Sequence, residues 1–332
     1  MATGSLKIAL VADDLTRSCL AQECTVVDIP GDDFSALSGS ARPDLLLVES
    51  AWIGIGGSWK GRIARYPRWM LRSNRRLQRL VGLARDLDIP TAFWNKEDGV
   101  HFERFIDSAK LFDHVFTVDA NCIPRYRAIM GSGVRIEVLP FPVQPAFHNF
   151  TGFNFTRNAA NFVGSYSTHI HDARRTWQEM AFRSVIDAGM GLVIYDRNSD
   201  RRSQVYRYPD WPGLEVREAV GHAQTAAIYK DHLISLNVNT VTDSATMFSR
   251  RLVEILACGG IAVTSAAKSV DELFAQYCHV VSSAEEARDL FARLRHGPSS
   301  EDLDRAREGS RYVLSEHTWA QRLEFLASAV GV

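Results

Sequence analysis

The chain has 332 residues, Lys+Arg 38 against Asp+Glu 39, and a formal net charge of -1, which is too long for one ordinary core and suits two domains. Balanced totals of charge provide no field for bulk nucleic acid or an acidic membrane. No apolar run approaches the length that spans a bilayer. The N-terminus lacks a signal-peptide core after its charged residue, so a cytoplasmic location is expected. Five cysteines, at 19, 24, 122, 258 and 278, are too scattered for a disulfide framework or a metal cluster.

In chain order, short apolar or β-branched runs predict strands at Leu6 to Ala12, Cys24 to Ile29, Asp44 to Glu49, Thr91 to Trp94, His114 to Val118 and Ile136 to Leu139. Helical stretches lie between them, the clearest from about Tyr66 to Leu87. After the strand ending at Glu49, a loop contains Trp52, Gly56, Gly57 and Trp59. Its glycines allow close backbone approach and its tryptophans could stack on a sugar ring; a plain flexible loop is an equally good reading. The run Asn95-Lys96-Glu97-Asp98-Gly99 follows the next strand, at its carboxyl end, where α/β proteins build ligand sites. There Glu97, Asp98 or His101 could take a proton, with Lys96, Trp52, Gly56, Gly57 and Trp59 on an acceptor side. The alternative is a solvated turn in which Asp98 caps the helix holding Phe102 and Phe105.

The polar and aromatic stretch from Gln144 to Ala160 reads as a linker. Beyond it, strands are predicted at Asn161 to Val163, Leu192 to Tyr195, Leu214 to Val216, His232 to Val238, Ile261 to Thr264 and His279 to Val281. Strand–helix alternation in both halves makes the fold class α/β, with two doubly wound, Rossmann-like domains. Their expected boundaries are 1–145 and 160–315, with a last helix in 316–332. Gly164-Ser165 ends the first strand of the second half, and the following helix bears Arg174 and Arg175. Tyr195 ends the next strand, where it could frame a nucleobase. His169, His171 and Asp172 are too tightly bunched for a standard metal site, and no metal is expected.

The most informative segment is Met247 to Ser265. Phe248, Leu252, Ile255 and Leu256 recur at helical spacing, Gly259 and Gly260 stop the helix, and Ile261 to Thr264 reads as a buried strand. Ser249, Arg250 and Arg251 fall in the first turn, where free N–H groups and guanidinium forks suit phosphate oxygens. Glu254, one turn on, could accept hydrogen bonds from the two hydroxyls of a ribose. An exposed Arg/Glu pair on a helix is the bland reading and an equally good one on spacing alone.

This segment resembles the C-terminal signature of glycosyltransferases related to the spore maturation protein CgeB, a branch of the GT-B clan. Ser249, Arg251, Glu254, Ala257, Cys258, Gly259 and Gly260 match, and Val253 replaces the usual Phe. Phe93 to Asp98, His101-Phe102, Phe105 and Asp113 to Asp119 are similar to the N-terminal half of the same group. Asn161 to Ser165, Ile194 to Asp196, Leu236 to Val238 and His317-Thr318-Trp319 with Arg322-Leu323 look like its C-terminal half.

The resemblance implies a GT-B fold with two domains facing across a cleft and a last helix that can cross back onto the N-terminal domain. It implies transfer of a sugar from a nucleotide-diphosphate donor to the hydroxyl of a glycan, lipid-linked or other acceptor in glycoconjugate synthesis, with no cofactor and no metal. Gly164, Ser165, Arg174, Tyr195, Asn237, Ser249, Arg250, Arg251 and Glu254 are the expected donor-binding residues, with Arg251 also the catalytic cation. Clan resemblance suggests retention, although Thr246 stands where a second Glu is usual in the wider retaining group. A sugar-nucleotide epimerase or hydrolase and a non-catalytic partner subunit are the alternatives. Peripheral contact with a membrane stays open.

Overall fold

The structure is a computed structural model that describes residues 3–38, 42–66 and 73–332. Two compact units emerge: residues 1–141 together with 319–332, and residues 142–318. The division falls at 141/142 rather than within the expected linker. The chain after Pro142 is already tied to the second unit, for Val143 bridges Thr318 and donates its N–H to His317 O at 2.8 Å.

In the first unit β1 (Lys7–Val11), β2 (Thr25–Asp28), β3 (Leu45–Glu49), β4 (Thr91–Asn95), β5 (His114–Thr117) and β6 (Arg135–Val138) form one parallel sheet in the order β2-β1-β3-β4-β5-β6. Every residue of β3 and β4 is buried, the signature of strands covered on both faces. The covering helices are α1 (Asp14–Leu20), α2 (Arg75–Asp86), α3 (Phe102–Ala109) and α4 (Ile123–Met130). The predicted helix from Tyr66 thus starts nine residues later, and 67–72 lie outside the described residues.

The second unit repeats the plan. Strands β7 (Arg157–Gly164), β8 (Gly191–Asp196), β9 (Leu214–Arg217), β10 (His232–Asn237), β11 (Ile261–Thr264) and β12 (His279–Val280) are parallel, in the order β12-β11-β10-β7-β8-β9. Helices α5 (Asp172–Asp187), α6 (Thr225–Asp231), α7 (Arg250–Ala257), α8 (Lys268–Leu273), α9 (Ala284–Leu294) and α10 (Ser300–Glu316) connect and follow them. The last helix, α11 (Trp319–Val330), belongs to the first unit: Trp319 meets Trp94 edge to face with centroids 5.5 Å apart, and Arg322 Nε donates to Pro140 O at 3.1 Å.

These strand orders fix where a ligand can lie. The chain reverses direction across each sheet between β1 and β3, and between β7 and β10, and at such a switch point the loops leaving the carboxyl ends part to leave a crevice. Ala12 to Asp14, Ser50 to Gly54, Gly164 to Tyr166 and Asn237 to Asn239 are those loops.

The turn from α7 into β11 depends on Gly259. Its φ is +74°, and a Cβ there would run into the Phe150 ring. Gly259→Ala should therefore lose roughly 2–4 kcal/mol in urea unfolding, from left-handed backbone strain plus overpacking. Adding Phe150→Ala should recover the packing part in a double-mutant cycle, and strictly additive losses would show that the two positions do not meet.

Candidate functional site

At the switch point of the second unit, Arg251 in the first turn of α7 reaches back under the sheet. Its Nε donates to Val163 O at 2.5 Å, its Nη1 to Asn237 Oδ1 at 3.3 Å, and its guanidinium lies 4.4 Å from the Phe162 ring centroid. One cation thereby spans the ends of β7 and β10. Gly164 makes room for it, because a Cβ on Gly164 would lie 2.5 Å from Phe162 and 2.8 Å from Arg251 Nη2. Burial, more than any neighbouring charge, pushes the Arg251 guanidinium down to about 10, which leaves it charged at neutral pH.

Arg174 on α5 comes to the same place. Its Nη2 donates to Ser165 O at 3.2 Å and its Nη1 to Thr240 Oγ1 at 3.4 Å, while its buried Nε has no partner among the described residues. The hydroxyl of Tyr208 is also buried without a partner; burial and then Asp196 push it up, while the charges of Arg251, Arg174 and Arg197 act to lower it. Arg197 is exposed, its backbone N–H held on Gly164 O at 2.9 Å, and the protein around it and then Arg250 and Arg251 lower its pKa. Exposure together with close cationic neighbours describes a wet wall of the crevice rather than a core position.

Glu254 faces the other side of α7's first turns. Its Oε1 accepts from His222 Nε2 at 2.8 Å and Arg250 Nε at 3.0 Å. Burial alone would raise its pKa; the His222 hydrogen bond and the Arg250 charge outweigh burial and hold the carboxylate well below its usual range. It is therefore an anion already engaged by two donors, one of them Arg250 four residues before it, which the exposed Arg/Glu pair of the bland reading, three apart, is not. Nitrogen atoms of His148 and His222 and an oxygen of Glu254 lie within 4.8 Å of one another, a group that could hold a metal ion; His169, His171 and Asp172 are not so placed among the described residues. Burial pushes His148 down to about 4.

Asn237 and Asn239 build the floor. Asn237 Nδ2 donates to Thr264 Oγ1 at 2.8 Å, and Asn239 Oδ1 accepts from Ser249 N at 3.0 Å. The Ser249 N–H expected to be free for an anion is thus occupied, because Asn239 caps the start of α7 in its stead. Tyr195 also departs from expectation. Side chains alternate along a strand, and this ring turns to His232 at the start of β10, with centroids 6.3 Å apart, lining a separate cavity of about 420 Å³. The residues that sequence reasoning missed are Tyr208, His148 and His222. None carries a motif, and Tyr208 reaches the site from an irregular loop with no periodic signal.

In the first unit the switch point holds a buried pair: Lys96 Nζ lies 2.7 Å from Glu49 Oε2 and donates to Thr16 Oγ1 at 3.1 Å. Asp13 ties down the glycine loop by accepting from Trp52 N, Ile53 N and Gly54 N at 3.2, 3.2 and 2.7 Å. Gly56 and Gly57 stay exposed, and Trp52 is half-buried, edge-on to His101 and Phe105. Trp59 is a correction: it is buried, its Nε1 donating to Ile29 O at 2.8 Å, so it presents no face to a sugar.

Asp98 is a second correction, since it caps no helix. His101 stands at the start of α3 without a side-chain cap, while Asp98 lies fully buried and accepts from Asn95 Nδ2 at 2.6 Å and Tyr126 OH at 2.9 Å. Burial raises its carboxyl to about 7 against the hydrogen bonds from Thr117 and Tyr126 that lower it. Glu97 and His101 are partly buried; burial and then Arg104 lower the His101 pKa.

Residues 171–328 match the family model described as glycosyl transferase-like. A DNA-modifying β-glucosyltransferase crystallised with and without uridine diphosphoglucose aligns at TM-score 0.58 and 10% identity, over 98% of this chain and 99% of its own. The T4 phage BGT complex with UDP and Mn2+ gives 0.58 at 11%, over 98% and 100%. A UDP-forming trehalose-phosphate synthase from Burkholderia xenovorans gives 0.56 at 11%, over 95% and 77%. The chain carries a glycosyl transferase-like domain on a GT-B fold. At such identities the structural likeness establishes the fold alone. No curated protein matches the sequence.

The raised Asp98 gives this GT-B chain a pH signature. The native state holds a proton that an unfolded aspartate, with a pKa near 3.9, releases, so Asp98's contribution to stability is full below about 4 and is lost as pH rises through about 7. Asp98→Asn should remove this slope, so that wild type loses stability relative to the variant between those limits in urea titrations. A constant difference across the window would place the carboxyl in an ordinary polar setting.

Proposed function

We propose that the chain is a glycosyltransferase of the type related to the spore maturation protein CgeB, which binds a nucleotide-diphosphate sugar in its C-terminal unit and passes the sugar to an acceptor hydroxyl. The observation that carries this reading is the cluster at the ends of β7, β8 and β10. Arg174, Arg197, Arg250 and Arg251 gather there with two carboxylates, Glu254 engaged by His222 and Arg250, and Asp196 at the end of β8 facing Arg207 at 3.6 Å. The unpartnered Arg174 Nε and Tyr208 hydroxyl are buried donors, and buried donors without acceptors are costly unless a ligand supplies one. A diphosphate has the charge and the oxygens to satisfy them.

Negative charge grows on that diphosphate as the glycosidic bond to the donor breaks, and fixed guanidinium groups stabilise it without rearrangement. The arginines supply the cationic charge that a divalent ion would otherwise bring, so the reaction as proposed proceeds without metal and tolerates a chelator. Glu254 takes the ribose hydroxyls on the acceptor capacity that His222 and Arg250 leave. Gly164, Ser165 and Asn237 shape the crevice, and Ser249 begins the helix that presents Arg250 and Arg251. The acceptor side falls to the N-terminal unit, with Trp52, Gly56, Gly57 and Lys96 as binding residues and the partly buried Glu97 and His101 as the groups to which the acceptor's proton goes, while the buried Asp98 supports their turn. Retention follows the clan, and the anomer of the product, followed by NMR, tests it.

Thermal denaturation against a panel of nucleotide diphosphates tests the donor site directly. One nucleotide should raise the midpoint, since a ligand at a hundred times its Kd adds about 2.7 kcal/mol. Arg251→Ala and Glu254→Gln should each weaken that nucleotide by roughly tenfold or more, about 1.4 kcal/mol, while remaining folded. Unchanged affinity in both variants would sink the assignment.

A further inference from the structure

Charge along the chain is far from even. Between Glu49 and Asp86 there is no acidic residue and there are nine basic ones, in a chain whose formal net charge is -1. The near-neutral total therefore conceals a strongly cationic segment balanced elsewhere. The expectation that the chain offers no field to an anionic surface holds for its total charge and fails locally.

The fold gathers part of this segment into one feature of the first unit. Arg62, Arg75, Arg76 and Arg79, with Asp32, Ser73 and Gln78, line a groove of about 810 Å³. Asp32 is the one acid among these lining residues, and both of its oxygens are committed, to Arg76 Nη2 and Arg79 Nη2 at 2.8 Å each. Arg62 and Arg75 make no ion pair with any described residue, whereas Arg65 and Arg85, from the same cationic segment, pair with Asp107 and Asp113 elsewhere. The groove thus holds four guanidinium groups against one carboxylate.

Arg76 is also set in place before any ligand arrives. It donates to Ser58 O at 2.7 Å, lies 5.6 Å from the Trp59 ring centroid and is 16% exposed. With Nη1 on Ser58 O and Nη2 on Asp32, Arg76 forms a fixed cationic wall of the groove, and Arg62 and Arg75, which have no ion pair among the described residues, have guanidinium forks that fit phosphate oxygens. Solvated arginines on a helix face need no such buttress, and they turn toward nearby acids where these exist. Here the buried Trp59, which does not serve a sugar, serves an arginine.

We propose that this groove binds a phosphate-bearing ligand, a phosphomonoester or phosphodiester. The same chemistry is offered by the headgroups of an anionic lipid surface and by a phosphorylated soluble molecule. The inference stands apart from the donor site, which lies in the other unit and is read by a separate measurement.

The test uses the full chain with two probes: tripolyphosphate in solution, and vesicles of phosphatidylglycerol mixed with phosphatidylcholine against phosphatidylcholine alone. Wild type should bind tripolyphosphate, the phosphatidylglycerol vesicles or both, more weakly as salt rises. Arg62→Glu with Arg75→Glu should lower that binding roughly tenfold or more, and the neutral pair Arg62→Gln with Arg75→Gln should lower it less. Both pairs should keep the wild-type melting temperature and nucleotide-diphosphate affinity, so that failure at the groove is distinct from failure at the donor site. Binding of both probes means that a soluble phosphate group suffices, and binding of vesicles alone means that a headgroup surface is needed. The proposal is overturned if wild type binds neither probe, or if both double variants bind as tightly as wild type.

Discussion

A guanidinium lodged beneath the carboxyl ends of β7 and β10 is the constraint around which the second unit's site is arranged. Arg251 can reach Val163 O and Asn237 Oδ1 only because residue 164 has no side chain and because α7 begins where Asn239 caps it. That capping depends in turn on Thr264 and Ser265 at the end of β11, which accept from Asn239 Nδ2 at 3.2 and 3.1 Å. Strand ends, glycine and cap form one mechanical unit, and α7 is short and largely buried because its purpose is to aim side chains from its first two turns. Gly259 then returns the chain to β11 in the least space available.

Both switch points use the same device with opposite emphasis. In the first unit Asp13 gathers three backbone N–H groups and Glu49 gathers Lys96, so each anion is consumed internally and the glycine loop is held in a set position. In the second unit cations outnumber anions and donors remain unsatisfied. One sheet is locally closed in its charges and the other is open, which is the asymmetry expected when a single end of the molecule carries an anionic co-substrate.

Much of this was legible in the chain. Every predicted strand exists with its ends displaced by at most four residues, because the buried inner strands are near-continuous apolar runs and the edge strands still carry short β-branched or apolar stretches. Gly164 stands at the end of such a run, whereas Arg251 and Glu254 were singled out by the spacing of an amphipathic helix closed by two glycines together with the family resemblance. Side-chain direction was not. Tyr195 and Asp196 are adjacent, and only the register of β8 decides that the tyrosine turns to His232 while the aspartate approaches Arg207 at 3.6 Å. Trp59 looks like a stacking residue in a glycine loop, yet its indole N–H finds Ile29 O, a bond between distant segments that no local pattern reveals. Tyr208 enters from the loop after β8, and the arginine groove disappears when charge is summed over the whole chain.

The open charge balance of the second site also has a cost to the empty protein. Each buried polar group without a partner costs about 1–3 kcal/mol, and Arg174 Nε and Tyr208 OH are two such groups. Four mutually repelling guanidinium groups add to that cost, only partly offset by Glu254 and Asp196. A protein pressed solely for stability would pair every one of these cations, as the first unit pairs Lys96 with Glu49. The loops at the ends of β7 and β8 instead hold the donors unsatisfied, supported by buried strands on both sides, so part of the free energy of binding an anion goes into relieving a penalty already present. By linkage, the occupied molecule is then stabilised by more than its new contacts alone would suggest.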